Sequence, residues 1–332
     1  MKRVTPFIHR AVRAVCCAAM LAPLGGVAFA ESSKPLQLVV GLPAGGTVDI
    51  LTRQIAEALR TSLGRAVIVD DRPGAGGIIA TEHVKNAAPD GTVLLVSPTT
   101  ALSLYPLTMS KLPYKASDFT PVVHVARFEY AFGVNKSVPA KTAAEYAALV
   151  KKDGAYGLFG APGLGGPPQF YGLLLARQLG ISLTTVPYNG TPPLMRDLQG
   201  GQTPAAVLPV AEFGKLVKSG NARLLATTGT RRTKEFPDVP TLQELGVPVS
   251  ESGQYAIYAP AGTPRALLDP IAKAVQDALQ TAPVKSLFAN MAMEPTGDSG
   301  AALEKMLATS EAFWKTAVRD NPVGSADKAG KP

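Results

Sequence analysis

The residues best suited to chemistry in this chain are glycines, prolines and one acid at the starts of helical segments. Pro43-Ala44-Gly45-Gly46-Thr47-Val48-Asp49 lies between the apolar run 36–40 and a segment where Val48, Leu51, Ile55 and Leu59 recur at helical spacing. Glycines at such a turn let backbone N–H groups approach an anion, and the positive end of the helix adds to the attraction. Thr47 is placed to cap the helix, and Asp49 either caps its second turn or reads a ligand hydroxyl or amine. The same residues equally describe a tight strand-to-helix turn that binds nothing. A second stretch, Gly160-Ala161-Pro162-Gly163-Leu164-Gly165-Gly166-Pro167-Pro168, precedes a helix carrying Phe170, Leu173, Leu174 and Leu179. Alone it reads either as a binding loop or as a flexible surface loop. Two such loops in two halves of the chain suggest a ligand clamped between lobes. A third glycine turn, 72–77, fits nucleotide binding poorly: after Gly74-x-Gly76, Ile79 stands where a third small residue is required, and no G-x-x-x-x-G-K-[ST] occurs.

Catalytic and metal chemistry find few candidates. Beyond the first thirty residues the only histidines are His83, in a polar helical stretch and expected to be solvated, and His124, in an apolar run and expected to be a satisfied core residue. Both cysteines, Cys16 and Cys17, lie within those first thirty residues, so the rest has no thiol for a disulfide, a metal or nucleophilic attack. There is no G-x-S-x-G elbow and no convincing metal spacing. The carboxylates are scattered. The expectation is a protein that is not an enzyme, with no catalytic residue, no metal and no cofactor.

The elements that must position the loops follow from the pattern around them. Residues 1–30 combine Lys2, Arg3, Arg10 and Arg13, a short apolar stretch from Ala14 to Leu24, and Ala28-Phe29-Ala30, which reads as a signal peptide with its cleavage site. Export to the periplasm is therefore expected. The formal charge is +8, and four of the 33 basic residues but none of the 25 acids belong to the expected signal. The small surplus left, without basic runs interleaved with aromatics, argues against nucleic acid as a partner. Strand-like runs at 36–40, 66–69 and 92–96 alternate with helical segments, and the alternation resumes after 142, which implies doubly wound parallel sheets. Thr142-Ala143-Ala144-Glu145 and Thr241-Leu242-Gln243-Glu244 read as capping boxes, and 156–168 as a long Gly/Pro loop. A chain of 332 residues exceeds what one core usually serves, so two lobes are expected.

The ordered segments PAGGTVD (43–49), DDRPGAGG (70–77), APDG (88–91), LPY (112–114), DFTPV (118–122), VPYNG (186–190), DLQGGQ (197–202), FPDVPT (236–241) and APAGTP (259–264) resemble, nearly end to end, the tripartite tricarboxylate transporter receptors, also called Bug proteins. The resemblance implies an α/β type II periplasmic-binding-protein fold with two doubly wound lobes and a cleft. Lobe one would be 31–130 with 253–332, and lobe two 131–252. It implies a monomeric receptor that captures a small organic acid, held largely by backbone N–H groups of two loops, and delivers it to inner-membrane permease subunits or presents it to a sensor protein. The first loop maps onto Leu42, Ala44, Gly45, Gly46, Thr47 and Asp49, and the second, within 158–169, onto Gly160, Ala161, Gly163 and Gln169. Ser97, Thr99, Tyr188, Leu208 and Tyr255 are the further positions expected at the cleft. Leu158, Gln169 and Leu208 stand where relatives carry Ser, His and Asp. These departures suggest a ligand with one anchoring carboxylate and a less polar far end.

Overall fold

A computed structural model describes residues 34–249 and 251–322; the expected signal peptide, 1–30, lies outside the described residues. The apolar runs become β1 (Leu36–Val40), β2 (Val67–Asp71) and β3 (Val93–Pro98), parallel with β1 in the middle. Helices α1 (Thr47–Leu63) and α2 (Ile78–Lys85) make the crossovers, and the short α3 (Thr100–Ser103) and α4 (Tyr105–Thr108) follow β3. After β4 (Phe119–Phe128), the chain passes through Glu129 into β5 (Tyr130–Asn135), the first strand of a second sheet. That sheet is completed by α5 (Ala143–Lys152), β6 (Leu158–Pro162), α6 (Pro167–Leu179), β7 (Thr184–Tyr188), α7 (Thr191–Gly200), β8 (Ala205–Pro209), α8 (Val210–Lys218) and β9 (Ala222–Thr227). The chain then returns through β10 (Gly253–Pro260), α9 (Arg265–Gln280), α10 (Ala282–Asn290), β11 (Met293–Pro295) and α11 (Gly300–Asp320).

The sheets run β11-β4-β10-β3-β1-β2 and β7-β6-β8-β5-β9. Neither is purely parallel, as strand–helix alternation had implied. β10 lies antiparallel between β3 and β4, and β5 antiparallel between β8 and β9. Both strands arrive from the other sheet, so the crossing sets their direction rather than a helical return.

Each sheet is covered on both faces, and the pleat sorts its side chains. Leu36, Leu38 and Val40 enter the core beneath α1 and α9, while Val39 enters the one beneath α2. In β8, Ala205 and Val207 face one core, and Ala206 and Leu208 the other. α11 reaches beyond the first sheet, to which 253–332 had been assigned. Its fully buried Trp314 packs in the second sheet's core, with ring centroids 5.9 Å from Phe170 and 5.8 Å from Tyr171.

Three local expectations are modified. The stretch 156–168 is not all loop, because 158–162 is β6; Phe159 and Ala161 are buried, and Gly160, lacking a Cβ, leaves room for Leu194 and Tyr188 against the strand. Thr142 does cap α5, accepting from Glu145 N–H at 3.1 Å. The Thr241–Glu244 box forms both reciprocal bonds, at 3.1 and 2.7 Å, but encloses only a turn, closed at Gly246 with φ +83°. His124 is buried in β4 as expected but only partly satisfied: Nδ1 lies 3.4 Å from Asp298 Oδ2, and Nε2 has no partner. Burial lowers its pKa. His83 is half-buried.

Candidate functional site

The turn after β1 is built to leave donors free. Gly45, at φ +76°, folds the chain so that Gly46 N–H donates to Pro43 O at 3.1 Å. The N-cap of α1 is Gly46, and Thr47 is already the first helical residue, so Thr47 does not cap the helix as the sequence suggested. With no side-chain cap, the first-turn N–H groups of α1 have neither an intrahelical acceptor nor a local substitute. Pro43, Ala44 and Gly45 are exposed, and Leu42 and Thr47 half-buried.

Asp49 is only 3% exposed. Its Oδ2 accepts Gly45 N–H at 2.7 Å, and its Oδ1 pairs with Arg53 Nε at 2.6 Å. The carboxylate thus holds the turn ahead of the helix, a role distinct from the second-turn cap that the sequence suggested. Arg53 also reaches Asp71 Oδ2 at 2.5 Å, tying α1 to the end of β2. The glycine turn 72–77 buttresses the loop: a Cβ on Gly41 would stand 2.7 Å from Gly77 Cα, so only glycine allows the two turns to touch.

The turn after β6 is arranged differently. Gly163 N–H donates to Tyr188 O at 2.9 Å, Gly165 N–H to Gln169 Oε1 at 2.8 Å, and Gln169 N–H to Gly166 O at 3.2 Å. Pro167 and Pro168 open α6 and have no N–H to offer. Gln169 is buried and its oxygen is spent on the turn. Gly163 is exposed, whereas Gly160 and Ala161 are buried strand residues.

The remaining expected positions divide. Ser97 and Thr99 are buried at the carboxyl end of β3, where Thr99 N–H donates to Gln254 O at 3.0 Å. Tyr255 is buried and stacks on Phe128 at 4.9 Å, and burial pushes its hydroxyl pKa up. The Tyr188 hydroxyl is used internally, donating to Asp197 Oδ2 at 2.9 Å and lying 2.5 Å from Thr203 Oγ1. Leu208 is a core residue: the pleat of β8 directs it beneath α7 and α8. Leu158, one of the departures noted in the sequence, sits at the amino end of β6, opposite the end that carries the loop.

Several residues at the site had not been singled out. Arg53 follows Asp49 at i+4, a spacing that announces a helical ion pair. Thr108, in α4, donates to Gly165 O at 3.2 Å, while Tyr105 of the same helix lies over Gly76. α4 thus runs from one glycine turn to another, and nothing local in sequence signals that contact. Glu212, in the first turn of α8, has a buried Oε2 without a hydrogen-bond partner and a pKa raised by burial. Its charge acts on Tyr130 and Tyr255, which puts an acid at the carboxyl end of β8 near the first sheet. Among the described residues no group of three or more His, Cys, Asp or Glu is arranged to hold a metal ion.

The sequence model for the tripartite tricarboxylate transporter family receptor matches residues 51–321. The chain belongs to this family. A UPF0065 protein of Bordetella bronchiseptica is 34% identical over 263 residues, covering 79% of this chain and 78% of that protein. Among solved structures, Rpa4515 of R. palustris with adipate is 26% identical with a TM-score of 0.79, covering 87% of this chain and 97% of that one. MatC from Rhodopseudomonas palustris with bound malate is also 26% identical, with a TM-score of 0.76 and coverage of 86% and 99%. The two-sheet α/β architecture is that of periplasmic binding proteins, and this receptor family and its structural neighbours bind substrates rather than transform them. Among the described residues no helix is long and apolar enough to cross a membrane.

Proposed function

We propose that this receptor works in the periplasm, captures a small organic acid between two lobes, and delivers it to a membrane transporter. The lobes are the two sheets with their covering helices, and α11 spans both. The ligand carries one anchoring carboxylate and a less polar remainder. The carboxylate sits on the uncapped N-terminus of α1, beside the exposed turn Pro43–Gly45, where N–H donors and the helix dipole favour an anion. Ser97, Thr99 and Tyr255, at the neighbouring ends of β3 and β10, complete that wall.

The observation that carries the single-carboxylate reading is the asymmetry of the two turns. At the first three helical positions, Thr47, Val48 and Asp49 of α1 keep N–H groups without an acceptor, whereas in α6 two positions are proline and the third, Gln169, donates to Gly166 O. Glu212 places a buried acid, with one oxygen unpartnered, at the carboxyl end of β8. The adipate- and malate-bound relatives hold dicarboxylates, so the contrast is testable.

The test is a thermal-shift panel of benzoate, phenylacetate and isovalerate against malate, adipate and citrate, with calorimetry on the hits. A ligand at a hundredfold its dissociation constant stabilises the fold by about 2.7 kcal/mol. The expected outcome is tightest binding of a monocarboxylate that is recovered unaltered. A di- or tricarboxylate that outbinds every monocarboxylate overturns the single-anchor reading, and chemical conversion of the ligand overturns the receptor role.

A further inference from the structure

A chain of aromatic rings passes from one sheet to the other where β4 gives way to β5. Between ring centroids, Tyr255 of β10 lies 4.9 Å from Phe128, Phe128 5.3 Å from Tyr130, Tyr130 5.5 Å from Tyr171 of α6, and Tyr171 5.8 Å from Trp314 of α11. Phe128 and Tyr255 belong to the first sheet's core and Tyr171 and Trp314 to the second's. Tyr130, one residue past the crossing at Glu129, packs against both. The other four rings are buried, whereas Tyr130 is only half-buried. Tyr171 donates its hydroxyl to Glu251 O at 3.3 Å. The Tyr130 and Tyr255 hydroxyls have no hydrogen-bond partner among the described residues, yet neither is sealed from solvent.

These two open rims stand at the strand ends outside which α/β sheets hold ligands. Tyr130 is opposite Pro209, at the carboxyl end of β8, and Tyr255 opposite Pro98, at the carboxyl end of β3. The pleat puts Tyr130 on the face of Phe132 and Val134, beneath α6, and Tyr255 on the face of Ile257 and Ala259, beneath α1. α1 and α6 are the helices that begin at the two glycine turns.

We propose that the ligand is an aromatic monocarboxylate whose ring joins this chain, lying against Tyr130 and Tyr255 while its carboxylate rests on the α1 turn. Aromatic rings at such spacings attract one another beyond the area they bury, through the negative face and positive edge of each ring. A saturated ring of the same size buries at least as much apolar surface, so burial alone gives benzoate no advantage over cyclohexanecarboxylate. Tyr130 is thus a specificity-determining residue. Because its ring packs against both cores, a ligand ring seated on it touches the one side chain of the chain that belongs to both lobes.

This inference rests on the organic-acid reading and narrows its ligand class. Calorimetry on the wild-type protein compares benzoate with cyclohexanecarboxylate. Benzoate should bind about threefold to tenfold more tightly, the gain expected of an aromatic pair. Tyr130→Phe keeps the ring and should keep that ratio. Tyr130→Leu should bring the ratio to one or below while both acids still bind. Should Tyr130→Leu fail to fold, nuclear magnetic resonance on the wild type decides, with the Tyr130 ring protons assigned by their loss in Tyr130→Phe. Their resonances should move more with saturating benzoate than with cyclohexanecarboxylate, because only benzoate carries a ring current. Equal or tighter binding of cyclohexanecarboxylate, or Tyr130 resonances that benzoate leaves in place, overturns the aromatic assignment and leaves the organic-acid reading standing. If neither these acids nor any other carboxylate binds, the organic-acid reading falls, and this inference with it.

Discussion

Both glycine turns sit at the carboxyl end of a parallel strand and lead into a helix whose N-cap is glycine, Gly46 before α1 and Gly166 before α6. They part at the next two positions. α1 opens with Thr47 and Val48, each of which brings an N–H, and α6 with Pro167 and Pro168, which bring none. They part again in exposure. Each turn is fastened through its own N–H groups, Gly45 to Asp49 Oδ2 in the first, Gly165 to Gln169 Oε1 and Gly163 to Tyr188 O in the second, but Pro43, Ala44 and Gly45 are exposed whereas Gly165 and Gly166 are buried. Glycine content therefore does not make an anion site. What matters is where the donors are spent after the turn has formed.

The sharpest way to break the contrast is to make α1 start like α6. Proline is well tolerated at the first helical position, and Gly46 at φ −77° and ψ 170° already has the extended backbone that precedes a proline. Thr47→Pro should fold with little change in melting temperature. It removes one donor to a charged ligand, worth about 1.5–3 kcal/mol, so affinity by calorimetry should fall roughly ten- to a hundredfold. Unchanged affinity would mean that the first turn of α1 does not anchor the ligand.

Gln169→Ala probes the other side. It leaves the buried Gly165 N–H without its acceptor, at a cost of about 1–2 kcal/mol in denaturant unfolding. Affinity should change less than in Thr47→Pro, because Gln169 Oε1 serves the turn and not the cleft. If Gln169→Ala spares stability and abolishes binding, the assignment of the two turns is reversed.

How far these roles were legible depends on how local they are. The α1 turn could be read because its glycines, the helical spacing of Val48, Leu51, Ile55 and Leu59, and the preceding strand are adjacent in sequence. The Asp49–Arg53 pair was equally local but is meaningful only once Asp71 stands opposite. β6 was hidden because Gly160 and Pro162 argue against a strand, yet Gly160 belongs there to admit Leu194 and Tyr188. Leu208 lies with Ala206 in one core and Val207 in another, because the pleat of β8 alternates its side chains between the two covered faces, which the short apolar run does not reveal. The docking of Trp314 against Phe170 and Tyr171 joins residues far apart in the chain, and no local pattern announces it.

The smallest expected effect gives the finest test of the comparison. Pro167→Ala restores an N–H at the first position of α6, the counterpart of Thr47 in α1. The substitution frees the unfolded chain and should cost about 0.4–1 kcal/mol of stability, read as a small drop in unfolding midpoint. Gly165, Gly166 and Pro167 are all buried, so the restored donor faces protein rather than an open rim. Affinity should therefore stay within about twofold, well below the 1.4 kcal/mol that a tenfold change represents. A clear gain in affinity would mean that α6 also points at the ligand and that its prolines alone had silenced it. The two turns would then differ only in composition, and a second carboxylate could be accommodated by changing that one residue. No gain would locate the difference in the packing of the turn, which a single substitution does not undo.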